Sequence, residues 1–198
     1  MRTVKRNYFS VLFAVISLVS LSAVTSFAQE SQAQSTVSIK NFGQMDDRFF
    51  RGGQPKENEY RELAALGVKT VIDLRDDPKD YAKTTAESLG MRYVNIGMSD
   101  KDYPPATKIE EFLKLIDDPS TGKFYVHCAG GRHRTGVIGA VYRFNLYNWN
   151  YDQAYAEMKK YDFYTRWGHG EMKKFVKEYA ANFQTKNSNH AATTGAKQ

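Results

Sequence analysis

The chain has 198 residues, 41% of them hydrophobic and 25% charged, enough for one α/β domain with a real core and too short for two folded domains. Its formal net charge of +6 is not gathered into Lys/Arg runs and no nucleic-acid-binding motif accompanies it, so the basic balance gives no grounds for a DNA or RNA partner. The single cysteine, Cys128, cannot form an internal disulfide and is either an inert core residue or a thiol kept for its reactivity.

The first stretch reads as a targeting segment. "MRTVKRNYF" carries Arg2, Lys5 and Arg6, an apolar run follows, and Ser26 and Ala28 supply the small-x-small pattern cut by signal peptidase. Residues 1–28 are therefore expected to be a signal peptide, with the mature chain starting at Gln29. An uncleaved membrane anchor is the alternative, because the run is near the lower length limit for spanning a bilayer. Cleavage removes three of the 28 basic residues and none of the 22 acidic ones, leaving 25 against 22, a net charge of +3. The expected location is the periplasm or the medium, without stable membrane association after cleavage.

Residues 29–40 are a polar lead-in expected to be flexible, the folded domain is expected over 41–183, and the small-polar stretch 184–198 is expected to be a disordered tail. Within the domain, "DRFFRGGQP" reads as a short strand into a turn. Residues 57–66 read as a helix with Tyr60, Leu63 and Leu66 on one face, stopped by Gly67. "VKTVIDL" (68–74) is a β-branched strand, residues 81–89 a helix ended by Gly90, and "YVNI" (93–96) a strand. A loop, "GMSDKDYPP", precedes a helix over 107–116 with Ile109, Phe112, Leu113 and Ile116 at helical spacing. "KFYVH" (123–127) is a buried strand, and "TGVIGAVYRFNLY", "YDQAYAEMKKY" and "EMKKFVKEYAANF" are three further helices. Strands alternating with helices of about ten residues predict a single α/β domain with a small, mainly parallel central sheet flanked by helices.

Cys128 lies where the last strand meets a helix. In an open parallel sheet, anions are held beyond the carboxyl ends of the strands, where a turn rich in amides meets a helix N-terminus. "FYVH-CAGGRHR-TGVIGAVYRF" is strand, seven-residue turn, helix. Gly130 and Gly131 let the backbone coil so that the amides of Ala129 to His133 point inward around a tetrahedral dianion, and Arg134 adds a planar fork for two phosphate oxygens. In that positive cup a thiol pKa of about 8.5 falls toward the ~3.5–7.5 range of activated cysteines. The thiol becomes a nucleophile aimed at phosphorus, and the core-cysteine reading leaves the paired glycines and Arg134 without a reason.

"HCAGGRHRTG" (127–136) matches H-C-x-x-G-x-x-R-[ST]-G, and the chain resembles the cysteine-dependent protein tyrosine and dual-specificity phosphatases. The likeness extends over about 41–183 through "RGGQP…LGVKTVIDLR", which is similar to the N-terminal half of small bacterial and plant atypical dual-specificity phosphatases. That resemblance implies that Cys128 attacks phosphorus to give a phosphocysteine, that Arg134 binds the transferring phosphoryl group, and that Thr135 assists the thiolate as leaving group. It also implies that His127 orients the loop without acting as the acid, and that neither a metal nor another cofactor is required. The resemblance further implies a general acid, an aspartate on a mobile loop upstream, for which "SDKDYPP" (99–105) offers Asp100 and Asp102 as candidates. Asp100 stands four residues before Pro104 and Asp102 two before it, and the first spacing fits the family better.

The substrate is expected to be a phosphorylated protein, with phosphotyrosine or dual specificity, or a small polyanionic phosphate ester. Arg132 and His133 are expected at the rim, and "GRHR" resembles the "GKHR" of plant and fungal enzymes acting on inositol pyrophosphates; Ala129, where phosphoinositide phosphatases carry lysine, argues against that last class. Arg51, Gln54 and Arg75 read as salt-bridge or turn residues, and His169 as a helix-opening residue rather than a ligand. A non-catalytic phosphate-binding module and a rhodanese-like sulfurtransferase are the readings from other classes. Assays of p-nitrophenyl phosphate hydrolysis beside thiosulfate-to-cyanide transfer separate the three.

Overall fold

The computed structural model describes residues 37–195; the expected signal peptide, residues 29–36 of the lead-in and residues 196–198 of the tail lie outside them. Five strands form one sheet in the order β1-β2-β5-β3-β4: β1 (Gly43–Gln44), β2 (Phe49–Gly52), β3 (Thr70–Arg75), β4 (Arg92–Met98) and β5 (Phe124–His127). Only the β1–β2 pairing is antiparallel; β2–β5, β5–β3 and β3–β4 are parallel. Among the described residues six α-helices accompany them: α1 (Tyr60–Ala65), α2 (Asp80–Ser88), α3 (Ala106–Asp117), α4 (His133–Tyr147), α5 (Tyr151–Lys160) and α6 (Gly170–Gly195).

The period-two alternation of the strands divides their side chains between two faces. Phe49, Ile72, Leu74, Ile96, Met98, Phe124 and Val126 join one large core with Phe112, Ile138, Val141, Phe144, Met158, Phe175 and Val176 from the helices. α4 sits at the centre of that core, with every residue from His133 to Phe144 buried, and packs on α5 and α6. Register places Asp73 opposite His127 and Arg75 opposite Met98, so the loops that follow β3, β4 and β5 leave the sheet at one end. Those loops carry Asp76, Asp100 and Cys128.

Four expectations about boundaries need correction. Ser38 to Lys40 already belong to the fold: Ile39 is buried, and the Ser38 hydroxyl and amide both donate to Glu62. The helix expected over 57–66 opens as a 3-10 turn, Glu57–Glu59, with Glu59 buried and accepting from the Lys56 amide. The phosphate-loop turn spans five residues, 128–132, because α4 begins at His133 and takes Arg134 into its first turn. The stretch from residue 184 is helical as far as Gly195. There the Thr185 and Ser188 hydroxyls donate to carbonyls four residues back, and Asn187 donates to Asn148, which gives small polar residues local partners that composition does not reveal.

Candidate active site

The turn after β5 is held by its carbonyls. Ala129 O accepts from the Gln54 amide at 3.2 Å, Gly130 O and Gly131 O from Asn41 Nδ2 at 3.3 and 3.0 Å, and Gly131 O also from Arg51 Nη2 at 2.7 Å. With the carbonyls tied outward, the amides are left for the inside of the turn; among the described residues, those of Ala129, Gly130 and Gly131 donate to no protein acceptor. Successive inward amides beside a helix N-terminus make an anion nest. Asn41 reaches its three acceptors, Tyr161 O included, from a left-handed backbone (φ 56°) that asparagine tolerates.

Gly131 is required twice over. Its φ is +68°, and a Cβ there would run into the carbonyl group of Gly52. Gly131→Ala is therefore expected to cost about 2 kcal/mol or more of stability, from left-handed strain plus overpacking. It should also weaken inhibition by phosphate, and denaturant titration beside phosphate inhibition checks both effects.

Cys128 is 4% exposed at the bottom of a cleft of about 160 Å³ lined by Asp100, Ala129, Gly130, Arg132, His133, Arg134, Tyr164 and His169. Burial pushes its thiol up, but the Thr135 hydroxyl and amide, the Arg134 charge and the Arg132 amide outweigh burial and bring the pKa below that of an ordinary thiol. Thr135 is fully buried and its hydroxyl has no oxygen or nitrogen partner, which leaves it to the sulfur. His127 is fully buried, and burial lowers its pKa to about 4, so it is neutral at physiological pH. It stacks on Tyr125 and stands 3.7 Å from Asp73 Oδ1.

Arg51 is 1% exposed, packs its guanidinium 3.9 Å from the Tyr161 ring centroid, and has no carboxylate partner among the described residues. Burial lowers its pKa to about 10, which still leaves it charged at neutral pH. It is thus a buried cation braced against the turn rather than a member of a salt bridge. Arg75, by contrast, pairs with Asp77 at 2.7 Å, and Gln54 accepts from Arg75, both as read from the sequence.

Arg134 commits one nitrogen to the protein: Nη1 donates to Asp76 Oδ1 at 2.8 Å and to Met98 O at 3.0 Å. Its Nε is buried without a protein acceptor. The Nε edge is left for a phosphoryl group, in the bidentate geometry that suits arginine. Asp76 was missed in the sequence; the sole hint is its place at the end of β3 in "DLRDDP", where Asp76 and Asp77 divide between Arg134 and Arg75.

The two candidate acids separate. Both are exposed, but Asp100 lines the cleft and Asp102 is not among its lining residues, its amide donating to Ser99 Oγ at 3.3 Å. Two expectations about histidines need correction. His133 is not an outward rim residue: it is 8% exposed, and burial and the neighbouring His169 lower its pKa to about 4. His169 does open α6, but it also lines the cleft, 7% exposed, stacked on His133 at 3.5 Å with an interplanar angle of 12°. Arg132 is at the rim as expected, 3.7 Å from Asp162. Gly131 is not among the lining residues.

A family model described as "DSP-PTPase phosphatase fused to NAD+ Kinase" matches residues 17–178. The chain belongs to the DSP-PTPase phosphatase family. It is thus an enzyme of the class that hydrolyses phosphate esters. Among relatives of this phosphatase, the "Probable tyrosine-protein phosphatase DG1060" of Dictyostelium discoideum is 31% identical over 126 residues, covering 61% of this chain and 75% of that protein. The inositol diphosphatase DSP2 of Oryza sativa subsp. japonica is 27% identical over 126 residues, covering 61% of each. In fold, the chain is similar to the catalytic core of the PP-IP phosphatase SIW14 from S. cerevisiae, with a TM-score of 0.63 at 20% identity over 78% of this chain and 94% of that one. It is also similar to PTPMT1, with a TM-score of 0.61 at 17% identity over 75% of this chain and 99% of that one.

Proposed function

We propose that the chain is a cysteine-dependent phosphatase that hydrolyses phosphate monoesters through a phosphocysteine intermediate, with phosphotyrosine or dual specificity. The observation that carries this reading is a thiol of lowered pKa set among unpaired amides and the Nε edge of Arg134, with Asp100 on the same cleft wall. In the first step the Cys128 thiolate attacks phosphorus and the P–O bond to the leaving group breaks. The loop amides and Arg134 hold the charge on the equatorial oxygens, and Asp100 gives its proton to the departing oxygen. Water then attacks phosphorus, Asp100 accepts its proton, and the thiolate leaves toward the Thr135 hydroxyl as phosphate is released.

The cleft of about 160 Å³ is smaller than the ~300–1,000 Å³ of pockets that enclose whole small ligands. It suits one phosphoryl group and its nearest atoms, and the rest of the substrate lies across the rim. One observation favours a second reading, an inositol pyrophosphate substrate: a shallow groove lined by Arg132, Lys159, Asp162, Phe163 and Tyr164 adjoins the cleft and offers two cations to a polyanion, and the rice relative is named an inositol diphosphatase. Phosphotyrosyl peptides and inositol polyphosphates competing against p-nitrophenyl phosphate decide between them. Peptide kcat/KM well above that of any inositol phosphate supports the first reading, and the reverse order replaces it with the second. No turnover of either would leave a phosphate-binding module.

A low-pKa thiolate oxidises first to sulfenic acid. Peroxide is expected to inactivate the enzyme, thiol reductant to restore it, and phosphate to protect it, since phosphate covers Cys128. Because Cys128 is the sole cysteine, no intramolecular disulfide can rescue the sulfenate. Full activity after peroxide treatment would mean a protonated, inaccessible thiol.

We also propose export, with residues 1–28 removed as a signal peptide. It rests on Arg2, Lys5 and Arg6, the apolar run and the small residues near Ala28. Sequencing the N-terminus of the mature protein should find Gln29; an intact leader on active protein would contradict it.

A further inference from the structure

We infer that His169 is a positioning residue for the general acid: its imidazole holds the loop of Asp100 at the cleft. This rests on the reading of Asp100 as the acid.

His169 Nδ1 stands 2.7 Å from Asp100 O. A carbonyl oxygen only accepts, so Nδ1 carries the hydrogen and donates it. Inside the loop, the amides of Lys101 and Asp102 donate to Ser99 Oγ at 3.2 and 3.3 Å, bonds that shape the turn but do not fix it to the rest of the molecule. From outside, the Tyr103 hydroxyl binds Glu178 at 2.8 Å on the exposed side, and His169 binds at the cleft side. Among the described residues, the imidazole is the one side chain that ties Asp100 itself.

The imidazole is in turn fixed. It is 7% exposed, stacks on His133, which is buried in the first turn of α4, and meets the Tyr164 ring edge-on at 5.5 Å. The backbone before it is bent to deliver it: Trp167 is left-handed (φ 58°, ψ 42°) and Gly168 has φ +96°. A left-handed tryptophan is costly, and such strain persists where the surrounding structure demands a particular side-chain placement. Here it turns His169 inward, while Gly168 packs toward Lys101 of the acid loop. The acid loop is thereby linked through two stacked histidines to the helix that carries Arg134.

A misplacement of about 1 Å in a catalytic group can cost on the order of 10²-fold in rate. Loss of the tether should therefore act through the acid, and an acid matters most for poor leaving groups. His169→Phe keeps a ring on His133 but removes the donor. It is expected to lose about tenfold or more in kcat on an alkyl phosphate and much less on p-nitrophenyl phosphate. His169→Asn, whose amide nitrogen lies near the position of Nδ1, should recover most of the alkyl phosphate activity. His169→Gln, which places its amide nearer the Nε2 position, should behave like His169→Phe and keeps the test alive if the latter fails to fold.

The double variant of His169→Phe with Asp100→Asn should lose no more on the alkyl phosphate than Asp100→Asn alone, because residues acting as one unit are not additive. Equal losses on both substrates, or an additive double variant, would overturn the inference and make His169 a packing residue. If Asp100→Asn shows the leaving-group dependence and His169→Phe does not, the inference alone falls. If Asp100→Asn shows none, the acid assignment falls and takes the inference with it.

Discussion

Cys128→Ser should lose turnover by about 10⁴-fold or more while still binding inorganic phosphate. Removing the nucleophile of a covalent mechanism typically costs that much or more. Binding survives because the cup is assembled by groups that the substitution leaves in place. The carbonyls of residues 129–131 remain tied to Gln54, Asn41 and Arg51, and Arg134 stays on Asp76 and Met98. A serine hydroxyl in the same position is not lowered into the ionisable range by Thr135 and Arg134 as the thiol is, so it attacks phosphorus slowly. Steady-state assay with p-nitrophenyl phosphate and calorimetric titration with phosphate read the two halves of this expectation. Retained turnover would remove Cys128 from the chemistry, and lost phosphate binding would show that the sulfur, rather than the amides and Arg134, organises the cup.

Asp100→Asn should cost about 10²-fold or more on an alkyl phosphate and far less on p-nitrophenyl phosphate. The difference follows from the role. An alkoxide leaves poorly without a proton and p-nitrophenolate leaves readily without one, and asparagine has no proton to give. Asp102→Asn should change little, because Asp102 is not among the residues that line the cleft and Asp100 is. A leaving-group-dependent loss in Asp102→Asn instead would mean that the loop turns over by two residues when substrate binds.

What could be read in the chain and what could not divide along a physical line. Cys128, Arg134 and Thr135 were legible because one local stretch, 127–136, encodes strand, turn and helix start together, and each of its residue types has a single chemical reason to be there. The strands and helices were legible from period and punctuation, apart from their ends. The turn length was overestimated because helix propagation from α4 captures His133 and Arg134, a matter of packing rather than of the turn residues. Asn41, Arg51 and Asp76 act on the site across 89, 80 and 58 residues of sequence, and His169 meets Asp100 across 69, so no local pattern marks them. Arg51 shows how far the missing tertiary context matters. The sequence reads it as a salt-bridge or turn residue, and the fold makes it the second: it is buried without a carboxylate among the described residues and donates to Gly131 O of the turn.

The covalent intermediate is the centre of this account, and rapid acid quench of the working enzyme tests it directly. Wild-type protein mixed with excess p-nitrophenyl phosphate, quenched within the first turnovers and digested, should yield a phosphoryl adduct on the peptide that contains Cys128. The adduct should be absent from Cys128→Ser and should disappear as substrate is exhausted. An adduct on any other residue, or active enzyme that turns over substrate with no adduct under conditions where an authentic phosphocysteine survives the quench, would contradict it.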